Sequence, residues 1–216
     1  MNDARTDMMN RVRAALGRTA GQPPTPPPPV TLRTRNLNAS ERVEVFVQQF
    51  EKLNGKVVRV RSRSDAGTAV RDLMNGQMAV ASNSPFLHEC GVANLAGVRT
   101  GFTSRDELRA ACAEAAFGIT SADHALAETG TLVLISSPRE ARLISLLPPA
   151  HIAVIAASTI LSDLDELLKR SPEPAKVSSS TVFITGPSRT ADIEQILVRG
   201  VHGPGEIHAV IVEGEE

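Results

Sequence analysis

The chain has 216 residues, 42% of them hydrophobic and 22% charged, and 23 Lys/Arg against 24 Asp/Glu leave a net charge of -1. This composition supports a packed core and excludes wholesale disorder, collagen-like repeats and a disulfide scaffold; the length favours one sizeable domain with an appendage. No basic cluster interleaved with aromatics occurs, and Trp and Tyr are absent, so the charge footprint and stacking platforms of a nucleic-acid binder are missing. Two cysteines, Cys90 and Cys112, are too few for a four-cysteine zinc site or an iron-sulfur cluster. Charge runs through residues 1–18, and no stretch approaches about 18 uncharged apolar residues. The expectation is a cytoplasmic protein with reduced thiols and no membrane span.

Met8 or Met9, Val12, Ala15 and Leu16 recur at helical spacing and predict a short amphipathic helix ending near Gly17. GQPPTPPPPVTL then carries six prolines in twelve residues, an extended tether between that helix and the main domain. The predicted organisation is a helix over 1–18, a proline-rich linker over 19–36 and an α/β domain over 37–216. In that domain, Asn38 with Glu41 forms a capping pair for a helix with Val43, Phe46, Phe50 and Leu53 on one face, stopped at Asn54-Gly55. Strand KVVRV follows, then a helix opened by Ser64 and closed at Asn75-Gly76, then strand MAVAS. The stretch 83–101 is ambiguous, with room for a short strand between Leu95 and Thr100. Ser104 with Glu107 starts another helix, in which Cys112 reads as a buried residue. Strand TLVLIS, strand HIAVIA, helix ILSDLDELLKR, strand TVFIT, helix ADIEQILVRG and strand IHAVIV complete the chain. Continuous apolar strands alternating with helices predict an α/β three-layer fold with a mostly parallel sheet. Ligands in such sheets gather beyond the carboxyl ends of strands, which directs attention to the loops following TVFIT and preceding TLVLIS.

Three stretches carry candidate chemistry. Gly186-Pro187-Ser188-Arg189-Thr190-Ala191-Asp192 joins a strand to a predicted helix and combines free N–H groups, hydroxyls and a guanidinium, the makings of an anion site. The same residues also suit plain helix capping, with Ser188 or Thr190 as the cap and Asp192 complementing the dipole. Gly200 to Gly205 sets His202 among glycines, Gly203 included, where it would transfer a proton, orient a carboxylate, or simply satisfy a turn. Glu128, followed by Thr129 and Gly130, sits beside a tight turn, where an acid partly removed from water is a base, a nucleophile or an ordinary surface charge. His88 and Cys90 share one side of an extended segment but have no third ligand, so no metal site is expected. Neither G-x-G-x-x-G nor G-x-x-x-x-G-K-[ST] occurs, and no flavin or nucleotide cofactor is expected.

GITSADHALAETGTLVLIS (118–136) with Leu147-Pro148, GPSRTADIE (186–194) and GVHGPGEIHAVIV (200–212) together resemble the LUD-domain proteins, and within them the LutC, or lactate utilisation protein C, family. The likeness extends to Ala-Leu-Gly-Arg at 15–18 before the proline tether, and so spans essentially the whole chain. It implies a NagB/RpiA/CoA-transferase-like fold and a part in oxidising L-lactate to pyruvate with iron-sulfur-type partner subunits, the clusters lying on those partners and no cofactor on this chain. Two functions follow. One is a non-redox subunit that binds a small carboxylate or phosphate-bearing ligand through Thr129, Gly130, Gly186, Ser188, Arg189, Thr190, Asp192 and Gly203. The other is an independent acyl-transfer or isomerase-type enzyme in which Glu128, like the glutamate of CoA-transferase relatives, is the nucleophile or base, with His202 as a further catalytic candidate.

Overall fold

The computed structural model describes residues 2–23, 36–191 and 197–214. The chain divides into two compact units, residues 1–32 and 33–216. In the first, helix α1 spans Asn2–Ala15, carries an Arg11–Asp7 pair at 2.8 Å one turn apart, and stops where Gly17 takes φ +62°. Its Met8, Met9, Val12 and Leu16 are exposed. Among the described residues no helix is long and apolar enough to cross a membrane.

In the second unit the elements are α2 (Ala39–Lys52), β1 (Lys56–Val60), α3 (Arg63–Met74), β2 (Ala79–Ala81), α4 (Pro85–Glu89), β3 (Val98–Arg99), α5 (Arg105–Glu114), β4 (Phe117–Ser121), β5 (His124–Leu126), β6 (Thr131–Ile135), α6 (Leu143–Leu146), β7 (Ala150–Ala156), β8 (Ile160–Leu161), α7 (Leu164–Arg170), α8 (Pro174–Val177), β9 (Thr181–Ile184), β10 (Arg189–Ala191), β11 (Leu197–Arg199) and β12 (Glu206–Val212). The Asn38–Glu41 capping box is closed in both directions, at 3.0 and 2.9 Å, and α3 ends at Asn75 in the left-handed region. Ser62, not Ser64, caps α3, its hydroxyl accepting the Asp65 N–H.

Six strands form one wholly parallel sheet in the order β1-β12-β7-β4-β2-β3. Alternate residues of β12 enter different cores, as the two-residue period of a strand requires. Ile207, Ala209 and Ile211 pack with Val43, Phe46 and Phe50 of α2, whose two rings stack at 5.3 Å. Val210 and Val212 face Ala66, Val70 and Met74 of α3 and Leu87 of α4. Helices therefore flank the parallel sheet on both faces.

Several expectations need correction. TLVLIS and TVFIT do not join the parallel sheet: as β6 and β9 they lie in a separate four-stranded sheet, β8-β5-β6-β9, and pair antiparallel. Leu132 and Leu134 of β6 enter one core and Val133 another, and a strand buried on both faces reads as a continuous apolar run whatever the direction of its neighbours. In the segment read as helix ADIEQILVRG (191–200), Ala191 ends strand β10 and Leu197–Arg199 form β11, paired from Arg189↔Arg199 to Ala191↔Leu197, while residues 192–196 lie outside the described residues. Its ends are pinned together, the Ser188 N–H donating to the Pro204 carbonyl at 2.8 Å and the Gly200 N–H to the Ser188 carbonyl at 3.1 Å, and this ladder overrides the local helical period. Residues 160–161 are a strand, with α7 starting only at Leu164 behind an Asp163 cap. His88 lies in the short helix α4, not in an extended segment, and Cys90 caps its end.

Two buried sites fix the parallel sheet, one against its cover and one between neighbouring strands. A Cβ on Gly118 would lie 1.8 Å from the Ile144 carbonyl oxygen, so glycine there lets α6 close onto β4. His151, fully buried on β7, has its Nε2 2.8 Å from Thr120 Oγ1; burial foremost, and then His208, push its pKa down to about 3. Gly118→Ala is expected to cost at least about 1–3 kcal/mol in urea denaturation, the penalty of overpacking a closed core. The His151 imidazole is neutral in the folded chain and protonates when unfolded near its ordinary value of 6.5. Its contribution to stability is therefore present above that value and is lost as pH falls from there toward about 3. A flatter stability profile for His151→Gln across that window, at lower overall stability, is the expected outcome of the same measurement.

Candidate functional site

Because the six strands are parallel, their carboxyl ends share one edge, the position at which open α/β sheets gather ligands. Two pockets lie along it. One, of about 580 Å³, is bordered by Arg59, Arg63, Phe86, Ala156, Ser158 and Glu213. The other, of about 370 Å³, is bordered by Ser84, Phe86, Ser121, Asp123, Ala156 and Thr159, so Phe86 and Ala156 belong to both. Arg59 is committed to Glu213 and, at 2.6 Å, to Glu44. Arg63, the first residue of α3, pairs with Glu89 only at 3.6 Å and lies 6.0 Å from the Phe86 ring. Its Nε is buried without a hydrogen-bond partner, a donor whose desolvation is uncompensated within the chain.

Beside the smaller pocket lies a buried carboxyl. Glu140, 6% exposed, accepts at Oε2 from Ser82 Oγ at 2.8 Å and has Ser121 Oγ at 3.3 Å, while Oε1 is buried without a partner. Ser121 Oγ is also 2.6 Å from Ser84 Oγ. Ser82 follows β2, Ser121 ends β4 and Ser84 precedes α4, so neighbouring parallel strands place the three hydroxyls. The Glu140 loop is held by the Asn83 N–H donating to the Arg139 carbonyl at 2.9 Å. Burial, reinforced by Asp123, pushes the Glu140 pKa up to about 8 against the opposing serine contacts. Asp123 is exposed as a residue, yet its Oδ2 turns inward to accept the Ile135 N–H at 2.6 Å, and burial raises its pKa too. A carboxyl poised near neutrality, tied through hydroxyls to a pocket, is equipped to exchange protons with a bound molecule.

The residues singled out in the sequence lie elsewhere. Glu128 and Thr129 are exposed and Gly130 is buried in the turn joining β5 to β6, so of the alternatives open for Glu128 the structure places its side chain at the surface. Thr129, Thr131 and Thr185 form a chain of hydroxyls at 2.7 and 2.8 Å. Gly186 rests on Leu53, whose carbonyl accepts from Arg189 Nη2 at 2.6 Å. Ser188 meets Gly203, and exposed His202 borders a shallow pocket of about 360 Å³ with Leu146, Leu147 and Gly203. These groups gather around the end of α2 and the amino ends of β1, β7 and β12, opposite the edge on which the loops flanking TVFIT and TLVLIS were expected. The helix N-terminus invoked for the 186–190 loop is replaced by β10. The backbone of Thr190 pairs with Val198, and Asp192 lies outside the described residues.

Arg63, Ser82, Ser84, Ser121 and Glu140 were not singled out, although MAVASNS and GITS both end apolar strands in hydroxyls, a legible sign of polar groups at a sheet edge. The two thiols are buried on separate elements, burial pushes both up to about 11, and they do not fit an iron-sulfur cluster. Among the described residues no group of three or more His, Cys, Asp or Glu is placed to hold a metal.

The LUD domain family model matches residues 43–212. The chain is 30% identical to Lactate utilization protein C of Halalkalibacterium halodurans, over 99% of each chain. It is likewise 30% identical to Lactate utilization protein C of Anoxybacillus flavithermus, over 94% of this chain and 97% of that one. A crystal structure of a DUF162 family protein from Deinococcus radiodurans has the same fold, with a TM-score of 0.65 at 19% identity over 82% of this chain and 99% of that one. The parallel sheet and the end-to-end likeness to these relatives have one meaning: the chain belongs to the LUD-domain family, alongside proteins named Lactate utilization protein C.

Proposed function

We propose that this chain is the small-carboxylate-binding, non-redox component of a bacterial system that oxidises L-lactate to pyruvate, acting with partner subunits that carry the iron-sulfur clusters. The names of its relatives support the system, and two buried, separated thiols support clusters on other chains. The observation that carries the binding role is Arg63, a cation with a buried, unpartnered Nε beside the larger pocket. Guanidinium pairs with carboxylate through charge-assisted hydrogen bonds. The ligand carboxylate lies against Arg63, and its C2 oxygen points past Phe86 toward Ser84 and Ser121. In this assignment the helix over 1–18 is an appendage on the 19–36 tether, the LUD-type domain over 37–216 is NagB/RpiA/CoA-transferase-like, and the protein works in the cytoplasm.

A second site has its own support. The turn at Glu128, Thr129 and Gly130, the three-threonine chain, Gly186 and Arg189 are gathered around the end of α2. There a carboxylate or phosphate would meet Arg189, or an acyl group the Glu128 carboxylate.

Calorimetric titration of L-lactate and pyruvate into the wild type, Arg63→Ala and Arg189→Ala separates the two. Loss of a charge-assisted hydrogen bond, about 1.5–3 kcal/mol, should weaken binding to Arg63→Ala by about ten- to a hundredfold and leave Arg189→Ala within about twofold. The opposite pattern moves the ligand to the amino edge, and equal affinities in all three proteins remove both arginines from the site.

A further inference from the structure

The Ser121 hydroxyl has one proton and two acceptors in reach, Ser84 Oγ at 2.6 Å and Glu140 Oε2 at 3.3 Å. A hydroxyl donates once. When Ser121 donates to Ser84, the contact with Glu140 is made only if the carboxyl itself donates, which requires a neutral Glu140. When Glu140 is ionised it can only accept. Ser121 then turns its proton toward Oε2, and Ser84 turns its own toward Ser121. The orientation of the whole row is therefore fixed by one proton on a side chain that does not itself border the pocket, while Ser84 and Ser121 do.

We propose that Glu140, Ser121 and Ser84 form a reversible hydrogen-bond relay that selects the oxidation state of the bound acid. With Glu140 neutral, the row ends at Ser84 as a donor and suits the carbonyl oxygen of a 2-oxo acid. With Glu140 ionised, the row ends as an acceptor and suits the hydroxyl of a 2-hydroxy acid. One proton passes between Glu140 and solvent as the row reverses, and no electron moves along it. The proposal rests on the carboxylate reading above and adds to it which group distinguishes substrate from product. Glu140 and Ser121 act through Ser84 and are positioning residues.

The surroundings suit such a switch. The charge facing Glu140 is Asp123, from the turn after β4, itself under the influence of His124. The other contacts, Ser82, Ser84 and Ser121, are neutral. The carboxyl is poised at about 8, so both orientations are reached within a few pH units of neutrality.

The test is calorimetric titration of the full chain with sodium pyruvate and with sodium L-lactate from pH 6.5 to 9.5, a range in which both acids are ionised. The expected result is a pyruvate-to-lactate affinity ratio that falls by about tenfold as pH rises, the effect of exchanging one matched hydrogen bond for a mismatched one. Ser121→Ala, a small change that breaks the row, and Glu140→Gln, which cannot ionise, should each bind both acids at a ratio independent of pH. A wild-type ratio that does not change with pH overturns the relay alone. A pH-dependent ratio that persists in Ser121→Ala also overturns it. Failure of either acid to bind at any pH overturns the carboxylate reading and the relay together.

Discussion

The structure depends on the pairing of its last strand. β12 lies between β1 and β7, in register with seven residues of β7 from Ala150 to Ala156 and with five of β1 from Lys56 to Val60. Without it the parallel sheet separates into β1 and the group β7-β4-β2-β3. Both cores lose a wall as well, since alternate residues of β12 face each of them. Strands 56–60 and 206–212 must meet across most of the chain, a contact that closes a long loop. The pairing also shapes the site. A Cβ on Gly214, just beyond β12, would lie 2.1 Å from the Arg61 carbonyl oxygen beyond β1. This close approach builds one side of the pocket that holds Arg63.

Two buried titratable groups show how position along the strands separates structural from chemical polarity. Desolvation is the leading cause of both shifts, and it favours the neutral form in each. For His151, inside β7, it drives the imidazole to about 3, and the group remains neutral and fixed by Thr120 across ordinary pH. For Glu140, in a loop at the carboxyl edge, it lifts the carboxyl to about 8. The cost is alike in kind, but the result for an acid is a proton that comes and goes near neutrality, next to hydroxyls that reach a pocket. Burying an ionisable group at a strand interior and at a strand end thus produces a rigid core polar group in one case and a responsive one in the other.

Local chemistry in the sequence is faithful where the structure is decided locally. The Asn38–Glu41 box, the left-handed Asn75 after α3, the Ser104 cap of α5 and strands KVVRV, HIAVIA and IHAVIV all appear where periodicity and capping place them. Pairing partners are not local. TLVLIS has the apolar continuity of a strand covered on both faces, and nothing in its six residues distinguishes a parallel from an antiparallel neighbour. The helical spacing read over 191–200 likewise gives way, at Leu197–Arg199, to strand pairing with Arg189–Ala191, whose approach is anchored by a Ser188 hydrogen bond to the Pro204 carbonyl outside that stretch. Strand β4 contains Gly118 and Thr120, which dilute the apolar signal, although Gly118 is there because α6 occupies the space a side chain would need.

The candidate site was missed for a related physical reason. Glycine-rich loops attract attention because close backbone approach suits a ligand, but another part of the same chain can equally be what approaches. Gly130, at φ +61°, would place a Cβ 2.5 Å from the Phe50 nitrogen, and Gly186, at φ +85°, would place one 3.1 Å from Leu53 Cβ. Both glycines admit the end of α2. Their motif is accounted for by the seat of that helix before any ligand is considered. At the carboxyl edge the corresponding signal is a hydroxyl directly after an apolar strand, Ser82 after AVA and Ser121 at the end of FGITS. Neither is conspicuous alone. They acquire meaning when parallel pairing brings the two strand ends side by side, with Ala81 opposite Ile119, and the loop after β6 lays a carboxyl across them. A glycine can report a packing contact within its own neighbourhood, whereas the worth of a strand-end serine is set by which strand lies next to it, and that is a property of the sheet.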